Sequence, residues 1–202
     1  MRRLLDMAEE KISEALRRGA SMAVEALDAA FRDGARPEDV RAIASRLHEL
    51  HDETTDLVME AVARFSPVAR DLRFLKGALF VSYDLYRVAR YAYDIAAVAE
   101  KLGRECLSKK VLEIRDTVKG MVAMAVEMFL AGDASRLGEL ERLDDEVVDK
   151  AYERSLDELL KGPDKCKVVE TVVLRLLERA SDHAVYIGNQ AYYLVEGMRR
   201  GR

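Results

Sequence analysis

The fold is decided by residues 169–198, which read VETVVLRLLERASDHAVYIGNQAYYLVEGM. Apolar or small side chains recur along this stretch at alternating intervals of four and three residues, the spacing that lines up one face of an α-helix. This apolar seam comprises Val173, Leu177, Ala180, Ala184, Ile187, Ala191, Leu194 and Met198. The stretch therefore predicts one long helix that packs along a single side.

A second seam lies earlier in the chain, where Leu85 and Ile95 stand 92 positions before Leu177 and Ile187. Its members are Phe74, Ala78, Val81, Leu85, Val88, Ala92, Ile95 and Ala99. Because the two seams have the same spacing at a constant offset, the sequence indicates an internal duplication of one helical unit.

Turn-forming residues divide the chain in the same order twice. They are Gly34, Ser66-Pro67, Gly103, Gly132 and Gly162-Pro163. We predict six helices, at about 1–33, 37–65, 68–102, 107–131, 135–160 and 164–198, with Ser135 as the N-cap of the fifth. Links this short make neighbouring helices antiparallel. The predicted fold is therefore all-α, two tandem three-helix bundles of six long antiparallel helices, with domains at 1–102 (the first repeat) and 103–202 (the second repeat).

Composition narrows the function. The chain has 33 Lys and Arg against 37 Asp and Glu, a net charge of −4, so nothing predicts a basic surface for DNA or RNA. No apolar run reaches the 18 residues of a membrane-spanning helix. The acid Asp6 comes before any apolar signal region. The expected location is the cytoplasm.

The two cysteines, Cys106 and Cys166, lie far apart and form no C-x-x-C pair. Free thiols, in the core or at the surface, are favoured over a disulfide between them. The disulfide stays open as the alternative.

Two acids in the last helix lie away from its seam. Glu178 and Asp182 are four residues apart, with His183 beside them, so both carboxylates point to the same side of the helix. The first repeat has Tyr86 and Arg90 at these two places. His183 could add a nitrogen ligand, although a packing or hydrogen-bonding role is favoured for a single helix histidine.

Helices two and five align at an offset of 93 residues, which pairs Asp52 and Asp56 with Asp145 and Asp149. The fifth helix is expected to pack through Leu140, Leu143, Val147 and Ala151. That packing would leave Asp145 and Asp149 on the opposite side, on a helix next to the one that carries Glu178.

Carboxylates held together raise one another's pKa unless a cation joins them, and all-oxygen ligands suit Mg²⁺, Mn²⁺ and iron. The second repeat is therefore predicted to hold a metal, one of Fe, Mn, Mg or Zn. Its candidate ligands are Asp145, Asp149, Glu178 and Asp182. In the first repeat Arg90 is expected to neutralise Asp52 and Asp56 without metal. Solvated surface carboxylates are the alternative in both repeats.

No catalytic apparatus is apparent. The sequence has no phosphate-binding glycine loop, no G-x-S-x-G and no credible nucleophile set. A di-iron carboxylate enzyme would normally carry Glu-x-x-His on two helices, and the chain contains no such tetrapeptide. We expect a protein that is not an enzyme.

Two segments resemble the PhoU family. FSPVARDLRF at 65–74 resembles the signature at the start of that family's third helix, and LERASDHAVYI at 177–187 followed by YLVEG at 193–197 resembles its C-terminal motif. The resemblance implies a regulator of phosphate uptake that acts at the phosphate ABC transporter and, in many bacteria, through a partner histidine kinase. It implies contact with the membrane through a protein partner, and a homodimer is expected.

The family's acidic E/D-x-x-x-D motifs can bind multinuclear iron or other metals. They match Asp52/Asp56, Asp145/Asp149 and Glu178/Asp182 here, whereas Tyr86 and Arg90 depart from the fourth motif. The resemblance therefore places the metal in the second repeat. A structural or oligomerising helical module without metal is the competing interpretation.

Overall fold

The computed structural model describes residues 2–198, which form helices and contain no strand. The α-helices are α1 (Arg2–Phe31), α2 (Pro37–Phe65), α3 (Ala69–Leu102), α4 (Lys109–Ala131), α5 (Leu137–Leu143), α6 (Lys150–Lys161) and α7 (Lys165–Glu196). A π-helical segment, Asp144–Asp149, joins α5 and α6 into one continuous helical rod, which we call the fifth rod. With this rod counted as one helix, the predicted six helices are confirmed. The basic residues Arg199, Arg200 and Arg202, which would suit a helix C-terminus, lie outside the described part of the chain.

The helix ends follow local backbone preferences. Pro37 is the first residue of α2, where its missing N–H costs nothing. Gly132 ends α4 in the left-handed region at φ 62°, which glycine adopts without strain. The side chain of Asp164 caps α7 by accepting from the backbone N–H of Lys167. The predicted N-cap Ser135 is wrong, because α5 starts two residues later and Arg136 occupies its N-cap.

Both apolar seams lie in the core, as predicted. Leu85, Ile95, Leu177 and Ile187 are fully buried. The exception is Met198, which lies beyond the last turn of α7 and is 64% exposed. The four-three spacing therefore identified the packed faces of α3 and α7 correctly.

Each repeat packs its three helices around a close approach at a glycine. A Cβ added to Gly19 on α1 would lie 3.1 Å from Leu85 on α3 and 3.6 Å from Leu47 on α2. A Cβ on Gly188 of α7 would lie 2.6 Å from Leu140 of α5. These contacts confirm two three-helix bundles, α1–α3 and α4–α7.

The two bundles share one continuous apolar core. Helix α3 packs against α7, and α1 packs against α4. At this junction Nδ1 of His183 lies 2.8 Å from Oδ1 of Asp84, and both residues are buried. The rings of Phe74 and Phe129 stack across it with centroids 5.4 Å apart. The division into separate domains at residue 102 stays a prediction.

Cys106 and Cys166 form a disulfide, with Cα atoms 4.7 Å apart. The prediction of free thiols is wrong, because the fold brings the 3₁₀ turn Arg104–Cys106 against the start of α7. Glu105 and Lys165 form an ion pair beside the disulfide at 2.9 Å. Arg104 donates to the backbone carbonyl of Ala30 at 3.0 Å. The turn between the bundles is therefore bonded to both of them.

Among residues 2–198, no helix combines the length and the apolar character needed to cross a membrane.

Candidate functional site

The π-helical segment changes which residues of the fifth rod face the core. Leu140 and Ala151 are buried as predicted, but Val147 is 38% exposed and Val148 is fully buried in its place. A π turn inserts one extra residue into the helix, so the packed face moves forward by one position. The prediction that Val147 packs into the core is therefore wrong. Single π turns occur frequently at functional sites.

The same segment buries a carboxyl group that the predicted ligand set lacks. Asp144 is 8% exposed, and its Oδ1 is buried with no hydrogen-bond partner. Burial, the largest cause, acts together with the charges of Asp149, Asp182 and Asp145 and against the hydrogen bond from Ser181 to raise the pKa of Asp144 to about 7. The sequence held a signal for this residue, because Asp144 follows the seam residue Leu140 by four positions.

Three of the four predicted ligands lie together beside Asp144. Asp149 is half-buried, and the side chains of Glu178 and Asp182 are 13% and 25% exposed. Burial raises the pKa of both Asp149 and Glu178, and the nearby charge of Asp182 raises both further. Asp145 is exposed at the edge of this group and acts on Asp149 through its charge. We call these five carboxyl groups the acidic cluster.

Two arginines partly neutralise the acidic cluster. Arg175 pairs with Glu178, and Arg179 lies 2.7 Å from Asp182; in each pair the arginine stands three residues earlier on α7. These arginines lie one helical turn before their partners and not at the place that Arg90 has in the first repeat. The compensation is incomplete, because Oε2 of Glu178 is buried and has no hydrogen-bond partner.

The acidic cluster has the ligand atoms that a cation prefers, but its side chains are not arranged around a common point. Carboxylate oxygens are the ligands of hard cations, and Asp144 and Glu178 each carry an unpartnered buried oxygen. Within residues 2–198, however, no three His, Cys, Asp or Glu side chains converge closely enough to hold a metal ion. Arg175 and Arg179 already occupy one oxygen each of Glu178 and Asp182.

Arg90 does not neutralise the acids of the first repeat, so that prediction is wrong. Its guanidinium reaches along its own helix to Asp94, at 4.0 Å, and lies over the ring of Tyr93. Asp52 is exposed and pairs instead with Nδ1 of His48 at 3.2 Å. Asp56 is also exposed. The two acids of the first repeat are therefore a solvated pair.

His183 has a structural partner. Its Nδ1 bonds to Asp84 across the junction, and its ring packs near those of Tyr91 and Tyr186. The favoured interpretation of His183 as a packing and hydrogen-bonding residue agrees with this position.

Two joined three-helix bundles with an acidic cluster between α7 and the fifth rod define a duplicated helical-bundle protein. The family model of the PhoU domain matches residues 4–99 and 111–191, in register with this duplication. The chain belongs to the PhoU family.

Similar sequences carry names from phosphate transport. A "Phosphate-specific transport system accessory protein PhoU homolog" from Synechocystis sp. is 33% identical over 143 residues, which are 66% of this chain and 63% of that protein. The chain thus matches less than two thirds of that relative's length. A "PhoU homolog 1" of the same description from Methanothermobacter thermautotrophicus is 30% identical over 77% of this chain and 73% of that protein.

Two solved structures have the same architecture. PhoU from Pseudomonas aeruginosa is 25% identical and superposes with a TM-score of 0.75, covering 96% of each chain. The phosphate transport system regulatory protein PhoU from Streptococcus pneumoniae is 18% identical and shares the fold, with a TM-score of 0.87 over 98% of this chain and all of that one.

The raised pKa of Asp144 predicts a pH-dependent stability. In the folded protein this carboxyl keeps its proton up to about pH 7, whereas an unfolded Asp loses it near pH 4. The folded state binds the extra proton between these values, so the free energy of unfolding should fall as the pH rises through this window. Asp144→Asn should flatten that fall. At about pH 8 the free energy of unfolding of this variant should exceed that of the wild type by about 1–3 kcal/mol, the cost of a buried unsatisfied polar group.

Urea unfolding at a series of pH values, in the presence of a chelator, measures this effect. Asp157 lies on the exposed face of α6, so Asp157→Asn is the matched control and should retain the wild-type slope. An Asp144→Asn protein with the wild-type slope would show that Asp144 is not the group that titrates.

Proposed function

We propose that this protein is a regulatory adaptor of phosphate uptake that binds the phosphate ABC transporter rather than catalysing a reaction. The observation that carries the proposal is membership of the PhoU family over both repeats. The relatives' printed names, accessory proteins of a phosphate-specific transport system, support it. In this proposal the protein is a homodimer in the cytoplasm and also contacts a sensor kinase.

An adaptor of this kind would meet the membrane through a protein. No helix of the described residues could cross a bilayer, and the net charge of −4 does not favour anionic lipid. The transporter's cytoplasmic subunits are therefore the proposed docking partner. Disulfides are rare in a reducing cytoplasm, so the redox state of Cys106 and Cys166 in cells bears directly on this placement.

Affinity capture from cross-linked cells tests the adaptor role. The tagged full chain, expressed in its native host at low phosphate, should recover the phosphate-transport ATPase in preference to the ATPase of an unrelated ABC transporter. The expected enrichment is about tenfold or more, which corresponds to a difference of about 1.4 kcal/mol in binding. Equal recovery of the two ATPases would contradict the adaptor role.

We also propose that the second repeat binds a divalent or iron cation, among Fe, Mn, Mg and Zn, through Asp149, Glu178 and Asp182 with Asp145 at the edge. The raised pKa values of Asp149 and Glu178 support this, because the cluster holds more negative charge than its surroundings stabilise. A bound cation would supply that stabilisation and lower both pKa values. The ligands are all oxygen atoms, which favours Mg²⁺, Mn²⁺ or iron over softer metals.

A metal-free structural module is the second candidate. The observation that favours it is the pairing of Glu178 with Arg175 and of Asp182 with Arg179. If these arginines are permanent partners, the acidic cluster only fixes α7 against its neighbours and no cation enters.

Metal titration separates the two candidates. Asp182→Asn removes a proposed ligand and should weaken Mn²⁺ affinity by about tenfold or more. Arg179→Gln removes a competing cation and should strengthen the affinity severalfold. Calorimetric titration of Mn²⁺, and of Fe²⁺ without oxygen, measures both changes.

The control variant Asp157→Asn should bind metal as the wild type does, because Asp157 is exposed and lies outside the acidic cluster. Equal uptake by the wild type and Asp182→Asn, or none by either, would establish the metal-free candidate.

A further inference from the structure

An open groove runs between α2 and α3 in the first repeat. Its volume is about 320 Å³, and its polar lining consists of Arg41, Ser45, His48, Glu49, Tyr86 and Arg90. The α2 residues follow one another at helical spacing, and Tyr86 and Arg90 are four apart on α3. Two rigid helices therefore hold these groups in place. We call this feature the α2–α3 groove.

The charges in the α2–α3 groove favour an anion. Two guanidinium groups face a single carboxylate, that of Glu49. Arg41 is exposed and makes no hydrogen bond or ion pair with any residue in the described part of the chain. The nearest acid to Arg90, Asp94, lies 4.0 Å away, at the outer limit of an ion pair. The guanidinium of Arg41 is thus available to a ligand, and that of Arg90 would bind one by turning away from Asp94 and from the ring of Tyr93.

The remaining groups suit a ligand with several oxygen atoms. A guanidinium donates through a planar fork that matches an oxyanion bidentately. The hydroxyls of Ser45 and Tyr86 add neutral donors. The ring of His48 lies edge-on to that of Tyr86 with centroids 4.9 Å apart, and together they form an aromatic wall beside the arginines. A phosphate group at the arginines would leave room for a small ring against this wall.

Three lining positions of the α2–α3 groove correspond to acids in the second repeat, whereas Arg41 corresponds to Ala134 and Glu49 to Arg142. At the repeat offsets of 93 for α2 and 92 for α3, His48 corresponds to Glu141, Tyr86 to Glu178 and Arg90 to Asp182. Three positions that are acidic in the second repeat are thus aromatic or basic in the first. The equivalent faces of the two repeats therefore favour ligands of opposite charge.

We propose that the α2–α3 groove binds a small phosphate-bearing anion, with Arg41 and Arg90 holding its oxygens and Ser45 and Tyr86 donating to them. The anion is inorganic phosphate or the phosphate group of a nucleoside monophosphate. This binding does not depend on the adaptor role or on a metal in the second repeat.

Phosphorus-31 NMR titration and calorimetry of the full chain, with a chelator present, test the proposal. The probes are inorganic phosphate, adenosine monophosphate and, as a control anion, sulfate. Arg41→Gln and Arg90→Gln should each weaken phosphate binding by about tenfold or more, because each removes a charged donor. Arg46→Gln is the matched control: Arg46 is an exposed, unpartnered arginine of the described α2, outside the lining of the groove.

The two phosphate sources give different results, and either supports the proposal. Adenosine monophosphate that binds about tenfold tighter than phosphate identifies a nucleotide, whose ring contacts the aromatic wall. Equal affinities identify free phosphate. In both cases Arg46→Gln binds as the wild type does.

Three results would overturn the proposal. They are no saturable binding up to about 10 mM ligand, sulfate binding as tightly as phosphate, and unchanged binding in Arg41→Gln and Arg90→Gln. Arg41 is a surface side chain without a partner in the described structure, so its substitution leaves the fold intact and the test stands on that variant alone.

Discussion

The packing of α3 against α7 is the contact on which the rest of the structure depends. The apolar seams of both helices are buried, and Asp84 bonds to His183 where the two bundles meet. Breaking a buried pair by removing one partner is strongly destabilising, whereas the pair itself adds little net stability, so this bond serves mainly to fix how α3 and α7 align. Because the seams face inward, the opposite sides of the two helices turn toward α2 and toward the fifth rod.

Because α3 and α7 pack through equivalent seams, the two repeats have the same helix arrangement. The outer faces of these helices are not part of that packing, so their side chains can differ between the repeats. In the second repeat, α7 presents Glu178 and Asp182 to the π-helical segment, where Asp149 adds its charge and Asp144 its buried carboxyl group. In the first repeat, α3 presents Tyr86 and Arg90 to His48 and its neighbours on α2. The helix arrangement depends on the buried seams and on the Asp84–His183 pair. Substitutions on the outer faces can therefore change the sign of the charge at the site without disturbing the fold.

The sequence predicted the helices and their packed faces, because these depend on the periodicity of side chains. It could not predict the π turn or the disulfide, which depend on a local irregularity and on a contact between distant residues. The buried seams and the five breaks between the six helices follow from side-chain spacing and turn residues, which act locally. The π turn at Asp144 has no comparable signature, and it moved Val147 out of the core and Val148 into it. The disulfide joins residues separated by 60 positions, which pattern alone cannot pair. Arg175 and Arg179 stand three residues before their partners, a spacing that the sequence shows but that does not by itself prove an ion pair.

We expect the two copies of one helical unit to treat cations differently, and anomalous X-ray diffraction can show this difference by direct location of the ion. Crystals soaked in Mn²⁺ and measured at the manganese absorption edge locate the ion without any assumption about its ligands. We expect an anomalous peak among Asp149, Glu178 and Asp182, with the side chains of Arg175 and Arg179 turned away. We expect no peak beside Asp52 and Asp56. A peak of equal height in the first repeat, or no peak in the second, would contradict it.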